Sequence, residues 1–555
     1  MEFLNYTIGE WIDKIAAEYP DNLAVTYTDK YDYRRTYKEF VAECDKIARG
    51  FLALGVKRGD HIAIWSTNTP QWLLTLFASA KIGAVLVTVN TAYKIHEAEY
   101  LLKQSDTKFL VTSEGFKDSN YIDILNRLCP EMAEPGCDRA NLNCARLPML
   151  RAIITIDDIQ RPGMFRWNEL YELAESVSDE EYAEARKGLS PHDVINMQYT
   201  SGTTGFPKGV MLTHYNILNN AKTIGDRMKF TPADKLCIPV PFFHCFGLVL
   251  SILACVTHAS AMVPIDHYNP VKVMEALEKE QCTAVHGVPK MFIGLLELPN
   301  YKDYKLNLRT GIMAGSPCPI KLMRQAIDEL GMREITIVYG QTEASPGCTQ
   351  TLADDPIEVR VNTVGRAFPG VEIKIIDPAT GKTLGPNENG ELCVRGYNVM
   401  KGYYKMPEAT AQAIDAEGWL HTGDIACVDE NGNYKITGRL KDMIIRGGEN
   451  IYPKEIEDFL YTHPAVSDVQ VIGVPDRDYG EEIMACIILK KGAVCTEEEI
   501  KKYVADSMAR HKVPRYVWFM DEFPINVANK ILKYKMREMA IERLSLQDTA
   551  SIETA

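Results

Sequence analysis

The stretch from Tyr199 to Gly209, YTSGTTGFPKG, packs glycines, serine and threonine hydroxyls and one lysine into eleven residues. Glycines let backbone amides approach an anion with no Cβ in the way, hydroxyls add donors, and Lys208 adds a point charge, so the stretch suits a phosphate. It is not the Walker A loop, GxxxxGK[ST]. Counted from Gly202, Pro207 stands where that motif needs glycine, and Gly209 where it needs the hydroxyl that meets magnesium. Proline also has no N–H to give a phosphate. A turn that binds nothing is the competing reading of this stretch taken alone.

The flanks, INMQ before and VMLTH after, favour strands, so the loop is expected to join the two arms of a hairpin. Elsewhere HIAIWS, PQWLLTLFASAKIGA and VLVTVN read as strand, amphipathic helix, strand, the unit of a parallel sheet. The alternation recurs at TAVHGV with the helix after Pro289, and at LMRQAIDEL followed by EITIVYG. From about residue 360 short strands with turn signals take over, in VEIKIIDPATG, GELCVRG and GNYKITGR. Beyond Arg439 come a strand, a Gly-Gly loop, a helix opened at Pro453 and another strand, within a compact α+β unit of about a hundred residues.

The 555 residues leave room for three or more folding units at about 100–200 residues each. With 61 basic against 75 acidic residues the net charge is −14, which argues against a dedicated nucleic-acid or anionic-membrane surface, so a polyanionic ligand must be met by a local site. The N-terminal stretch lacks the basic and apolar regions of a signal peptide. The longest apolar run, GLVLSILACV, is too short to span a bilayer, and a cytoplasmic protein is expected. Fourteen cysteines at irregular spacings, with no CxxC pair, read as buried free thiols. Cys129, Cys137 and Cys144, in LCPEMAEPGCDRANLNC, are expected on a long surface loop without metal.

An ordered series along the chain resembles the adenylate-forming superfamily of acyl-CoA synthetases, firefly luciferase and peptide-synthetase adenylation domains. It runs YTSGTTGFPKG at 199, PFFHCFG at 241, AGSP at 314, YGQTE at 339, GWLHTGD at 418, YKITGRLKDMI at 434, GGENIYP at 447 and NKILK at 529. Within the superfamily the chain is most similar to medium-chain fatty acyl-CoA synthetases, through ARLP, AGSP, YGQTEASP and RLKDMIIRGGENIYPKEIE. The resemblance implies an α/β fold. A large N-terminal domain, residues 1–440, would hold two layered α/β subdomains and a small β-rich one. A small mobile α+β domain, residues 441–555, would carry the catalytic lysine.

The implied reaction uses ATP, Mg²⁺ and coenzyme A. A carboxylate attacks the α-phosphate to give acyl-AMP and pyrophosphate, and a thiol then displaces AMP; both halves need charge neutralisation more than covalent help. By resemblance Thr200, Ser201, Gly202, Thr203, Thr204 and Lys208 embrace the outer phosphates. Tyr339 stacks on adenine, Thr342 meets the α-phosphate and Glu343 holds the metal. Asp424 accepts the ribose hydroxyls and Arg439 contacts the nucleotide. Ala314, Gly315 and Ser316 lie at the adenine and acyl sites, with His244, Gly340 and Gln341 beside the acyl chain and Met291, Phe292 and Pro346 as further wall candidates. Lys530 bridges carboxylate and α-phosphate, Lys441 is the hinge, and Gly447 and Gly448 line the pantetheine path. His244 reads equally as a satisfied core histidine or as a gate.

Asn529 departs from the family's usual glycine, which bears on adenylation rate, although asparagine tolerates positive φ. Aromatic or sterol-derived acids, transfer to a carrier-protein thiol, a luciferase-like oxygenase and a non-catalytic nucleotide-binding protein stand as alternatives. A methylene changes apolar binding by only about 1–3 kcal/mol, so a chain-length range rather than one acid is the most a pocket defines. The sequence leaves a homo-oligomer open.

Overall fold

The computed structural model describes residues 2–200, 207–315, 318–446, 449–477, 479–508, 510–525 and 531–547. The chain falls into two compact units, Met1–Ile373 with Val394–Leu420, and Lys374–Cys393 with His421–Ala555.

The first unit contains two large sheets, one of nine strands and one of eight. The expected strand–helix–strand unit is His61–Trp65, Pro70–Ile82 and Val85–Thr88, with the strands parallel. Thr69 caps the helix by accepting from the Trp72 N–H, Pro70 opens it, and Gly83 closes it at φ 73°. The helix is not the amphipathic one expected: almost every face of it is buried, Lys81 included, and that ammonium is neutralised by Asp13 and, at 2.6 Å, by Asp45. A charge so deep persists only because it is paired.

In the nine-stranded sheet Ala284–Gly287, Thr310–Met313 and Glu334–Gly340 run parallel, with Gly287 opposite Met313 and Met313 opposite Ile337. The crossover helices are Pro289–Leu296 and Ile320–Leu330. The first two strands therefore end level while the third runs on past Ile337 to Gly340, and the loops leaving their carboxyl ends lie at the usual place for a ligand in an open α/β sheet.

In the second unit Leu420–Val428 pairs antiparallel with Tyr434–Arg439. A five-stranded sheet follows, with helices Pro453–Leu460, Glu497–Ala505 and Lys533–Arg543 and its own core of Ile444, Ile456, Val469, Ile483 and Ile487. This is the α+β arrangement anticipated. The Gly-Gly segment adds a strand the sequence did not suggest: Ile444–Arg446 and Glu449–Ile451 form a hairpin before the helix at Pro453. Compactness groups the β-rich strands with the C-terminal residues.

Two expectations are corrected or refined. Cys129 and Cys144 do not sit on a surface loop; both are buried with Leu142, Leu147 and Leu150, apolar residues whose irregular spacing among polar neighbours hides them. Cys137 is half-buried, and all fourteen thiols are free. The run GLVLSILACV is buried and helical, with the π-helix Leu248–Leu253 between short α-helices. No helix among the described residues is long and apolar enough to cross a membrane.

Candidate active site

The glycine-rich stretch joins a hairpin, as its β-branched flanks require. Val194–Thr200 and Lys208–Thr213 are antiparallel neighbours, with Tyr199 opposite Gly209 and Thr200 opposite Lys208. A Cβ on Gly209 would lie 3.1 Å from the Tyr199 ring, so glycine keeps this pair close. Tyr100 anchors the loop's exit, its hydroxyl donating to the Pro207 carbonyl at 3.1 Å. Ser201, Gly202, Thr203 and Thr204 lie outside the described residues.

Lys208 leads to a residue that the sequence did not single out. Its ammonium sits over the Tyr403 ring, 4.4 Å from the centroid, and the Tyr403 hydroxyl donates to Glu343 Oε1 at 2.8 Å. One buried tyrosine thus ties the lysine of the hairpin to the carboxylate of YGQTE. Burial first, and the Glu343 charge second, raise the Tyr403 pKa above its ordinary value, so the hydroxyl stays a donor at neutral pH. Tyr403 is held by its backbone: Gly402 and Tyr403 pair with Met211 and Val210, and the Tyr404 N–H donates to the Gly209 carbonyl at 2.8 Å. The same segment grips the other sheet, the Met400 N–H donating to the Glu343 carbonyl at 2.8 Å and the Asn398 side chain to the Gly347 carbonyl at 3.1 Å.

Glu343 occupies a short turn, Thr342–Ala344, after the strand Glu334–Gly340. The chain then doubles back, Gly340 facing Gly347, so tightly that a Cβ on Gly340 would stand 1.8 Å from the Pro346 carbonyl oxygen. The Gln341 N–H donates to that oxygen at 2.9 Å. Tyr339 and Thr342 are nearly buried, and Glu343 is half-buried. Ala314 and Gly315 follow the neighbouring strand, Gly315 at φ 87°; Ser316 is outside the described residues. Phe292 is buried under Gly287, its ring 3.1 Å from where a Cβ there would be, and Met291 is half-buried.

PFFHCFG approaches the same turn. His244 is exposed, so the core-histidine alternative is set aside; its Nδ1 accepts the Phe246 N–H at 3.2 Å and caps the short helix Cys245–Gly247. Cys245 is buried and donates to Gln198 Oε1 at 2.8 Å. Burial pushes its thiol up to about 12, opposed by a hydrogen bond with Thr342 and reinforced by the Glu343 charge. It is therefore a neutral thiol at physiological pH and a poor nucleophile.

In the second unit Asp424 and Arg439 face each other across two strands, Arg439 Nε lying 3.1 Å from Asp424 Oδ1. Asp424 is nearly buried, and its backbone N–H donates to Thr422 Oγ1 at 3.1 Å. Lys441 is exposed in the turn Leu440–Asp442. Gly447, Gly448 and Lys530, with Asn529, lie outside the described residues.

A cation over an aromatic face, a half-buried carboxylate steered by a hydroxyl, and a turn with close backbone approach suit a phosphate paired with a hard metal ion. Among the described residues here, Glu343 offers a carboxylate oxygen that could meet such an ion. Tyr403 escaped sequence reasoning because it lies sixty positions from Glu343 on a strand of only two residues.

Two family matches cover most of the chain: AMP-binding enzyme over residues 12–404 and AMP-binding enzyme C-terminal domain over 455–530. Over 551 residues the chain is 52% identical to the "Putative acyl-CoA synthetase YngI" of Bacillus subtilis (strain 168), covering 99% of this chain and all of that protein. It is 41% identical to the mitochondrial medium-chain acyl-CoA ligase ACSF2 of Danio rerio, over 97% of this chain and 89% of that one. The fold matches the crystal structure of ATP-bound MatB from Rhodopseudomonas palustris with a TM-score of 0.82, at 29% identity, over 97% of this chain and 99% of that one.

Proposed function

The chain belongs to the AMP-binding enzyme family and is an AMP-forming acid–CoA ligase, and on that premise we propose that its acid is a medium-chain fatty acid. The acid carboxylate attacks the α-phosphorus of ATP, the bond to the β-phosphate oxygen breaks, and pyrophosphate leaves. The CoA sulfur, having lost its proton, then attacks the acyl carbon, the bond from that carbon to the bridging anhydride oxygen breaks, and AMP leaves with that oxygen. The observation that carries the phosphoryl half is the array of Lys208, Tyr403 and Glu343. The choice of acid is supported by the relative named for medium-chain acids.

In this reading Thr200, residues 201–204 and Lys208 meet the outer phosphates, Thr342 the α-phosphate, Tyr339 with Gly315 and Ser316 the adenine. Asp424 receives the ribose hydroxyls, with Arg439 beside it. Glu343 would hold Mg²⁺, which when bound supplies positive charge between phosphate oxygens. Tyr403 fixes the Glu343 carboxylate so that it need not be ordered at the moment of binding. Ala314, Gly340 and Gln341 border the acyl chain, with His244 as its gate. Lys530 meets the carboxylate and α-phosphate, Gly447 and Gly448 let pantetheine pass, and Lys441 is the hinge between the half-reactions. Cys245, neutral and hydrogen-bonded, does not compete with CoA for the acyl group. Free thiols throughout suit a reducing compartment, and we place the enzyme in the cytoplasm.

A chain-length series of fatty acids, with benzoate-type and sterol acids alongside, tests the acid. Acyl-CoA formation is expected to show its highest kcat/KM among medium-chain acids. A maximum with an aromatic or sterol acid would overturn this choice of substrate and leave the ligase chemistry standing.

A further inference from the structure

We propose that Glu391, Cys393 and His421 form a binding site for a borderline-soft divalent metal ion, with Zn²⁺ as its occupant. Glu391 and Cys393 stand two apart on the strand Gly390–Gly396 and so share a face of it. His421 lies on the neighbouring strand Leu420–Val428. One ligand atom from each falls within 4.8 Å of the other two.

The distances match the ion's coordination. His421 Nδ1 is 3.6 Å from Cys393 Sγ and 3.0 Å from Glu391 Oε2. With Zn–S near 2.3 Å and Zn–N near 2.05 Å at a tetrahedral angle, the sulfur-to-nitrogen edge is about 3.5 Å and the nitrogen-to-oxygen edge about 3.4 Å. The thiol and imidazole already stand at the required separation; the carboxylate must withdraw by a few tenths of an ångström. Its other oxygen is steadied by the Gly423 N–H at 3.1 Å, the outer hydrogen bond that metal-ligating carboxylates generally have.

Chemistry selects the ion. A thiol and an imidazole disfavour magnesium and calcium, which take oxygen ligands, and favour zinc. Glu391 and Cys393 are buried, while the His421 side chain keeps 31% exposure, which supplies an entry path and room for water as fourth ligand. Binding requires Cys393 to lose its proton, and His421 to carry its own on Nε2 rather than Nδ1. Metal binding therefore releases protons.

The full-length protein, reduced and stripped of metal with a chelator, is titrated with Co²⁺ and then with Zn²⁺. One equivalent of Co²⁺ should raise a thiolate-to-cobalt charge-transfer band, and Zn²⁺ should abolish it. Calorimetry in buffers of different ionisation enthalpy should report proton release. C393S should lose the band, and C393S, H421N and E391Q should each bind Zn²⁺ at least about tenfold more weakly than the unaltered protein. Their metal-free unfolding temperatures identify any variant that misfolds; E391Q keeps the acceptor for the Gly423 N–H and serves as the mildest of the three. A band that survives in C393S belongs to another thiol and overturns the site, as does Zn²⁺ affinity that is the same in all four proteins.

Discussion

Replacing Tyr403 with phenylalanine removes one oxygen and leaves the ring. The Lys208 ammonium, 4.4 Å from the ring centre, keeps its aromatic face, whereas Glu343 loses a donor at 2.8 Å. A hydrogen bond to a charged group is worth about 1.5–3 kcal/mol. Glu343 is half-buried, so water replaces part of what is lost, and the lower end of that range applies. At about 1.4 kcal/mol per decade, roughly a tenfold loss of metal affinity or turnover is expected. Pyrophosphate release at saturating ATP and fatty acid, followed as Mg²⁺ is titrated, should show a half-saturation concentration about tenfold higher, at the low end of what losing a ligand-orienting partner costs. The KM for fatty acid should stay where it was. Tyr403 is held above its ordinary pKa, so the wild-type enzyme should show no loss of activity from ionisation of this hydroxyl in the neutral range. An unchanged Mg²⁺ dependence in Y403F would refute the positioning role of Tyr403.

Gly340→Ala places a methyl group 1.8 Å from the Pro346 carbonyl oxygen, so the turn bearing Glu343 must shift; a loss of at least about 2 kcal/mol in urea unfolding is expected, together with loss of turnover. Asp424→Asn takes the charge from a nearly buried carboxylate paired with Arg439, and the KM for ATP should rise by about tenfold or more in steady-state kinetics, with the fatty-acid KM unaffected. His214 and His286 are fully buried, and burial lowers both pKa values to about 3. Because the unfolded chain binds protons near pH 6.5 and the folded chain does not, stability is full above that pH and falls toward pH 3, by up to about 1.4 kcal/mol per pH unit per histidine. Denaturant midpoints at pH 7 and pH 5 should differ accordingly, and H286Q should flatten the slope.

Local chemistry was legible where a period or a turn residue announced it. The strands beside Lys208 follow from their β-branched and apolar content, whereas the helix from Pro70 to Ile82 was anticipated as a helix but not as one buried on almost every face. Glu343, Asp424 and Arg439 were singled out through the order of motifs rather than through anything in their immediate neighbours. Tyr403 was not, since its partner is set by how a two-residue strand pairs with the edge of a sheet. Glu391, Cys393 and His421 escaped for the same reason: their proximity comes from a strand face and a cross-strand neighbour, which no single-segment pattern records. The thiols at 129 and 144 were misplaced because burial there comes from leucines of irregular spacing, not from a helix or strand stripe.

The most direct test of the central claim is AMP formation by the purified protein with ATP and Mg²⁺, across a panel of fatty, aromatic and sterol acids, each with and without CoA. The account predicts sustained AMP release only when an acid and CoA are both present, with one acyl-CoA formed per AMP and medium-chain acids giving the fastest rate. Protein that binds ATP yet yields no AMP with any acid would contradict it and leave a nucleotide-binding protein without ligase activity.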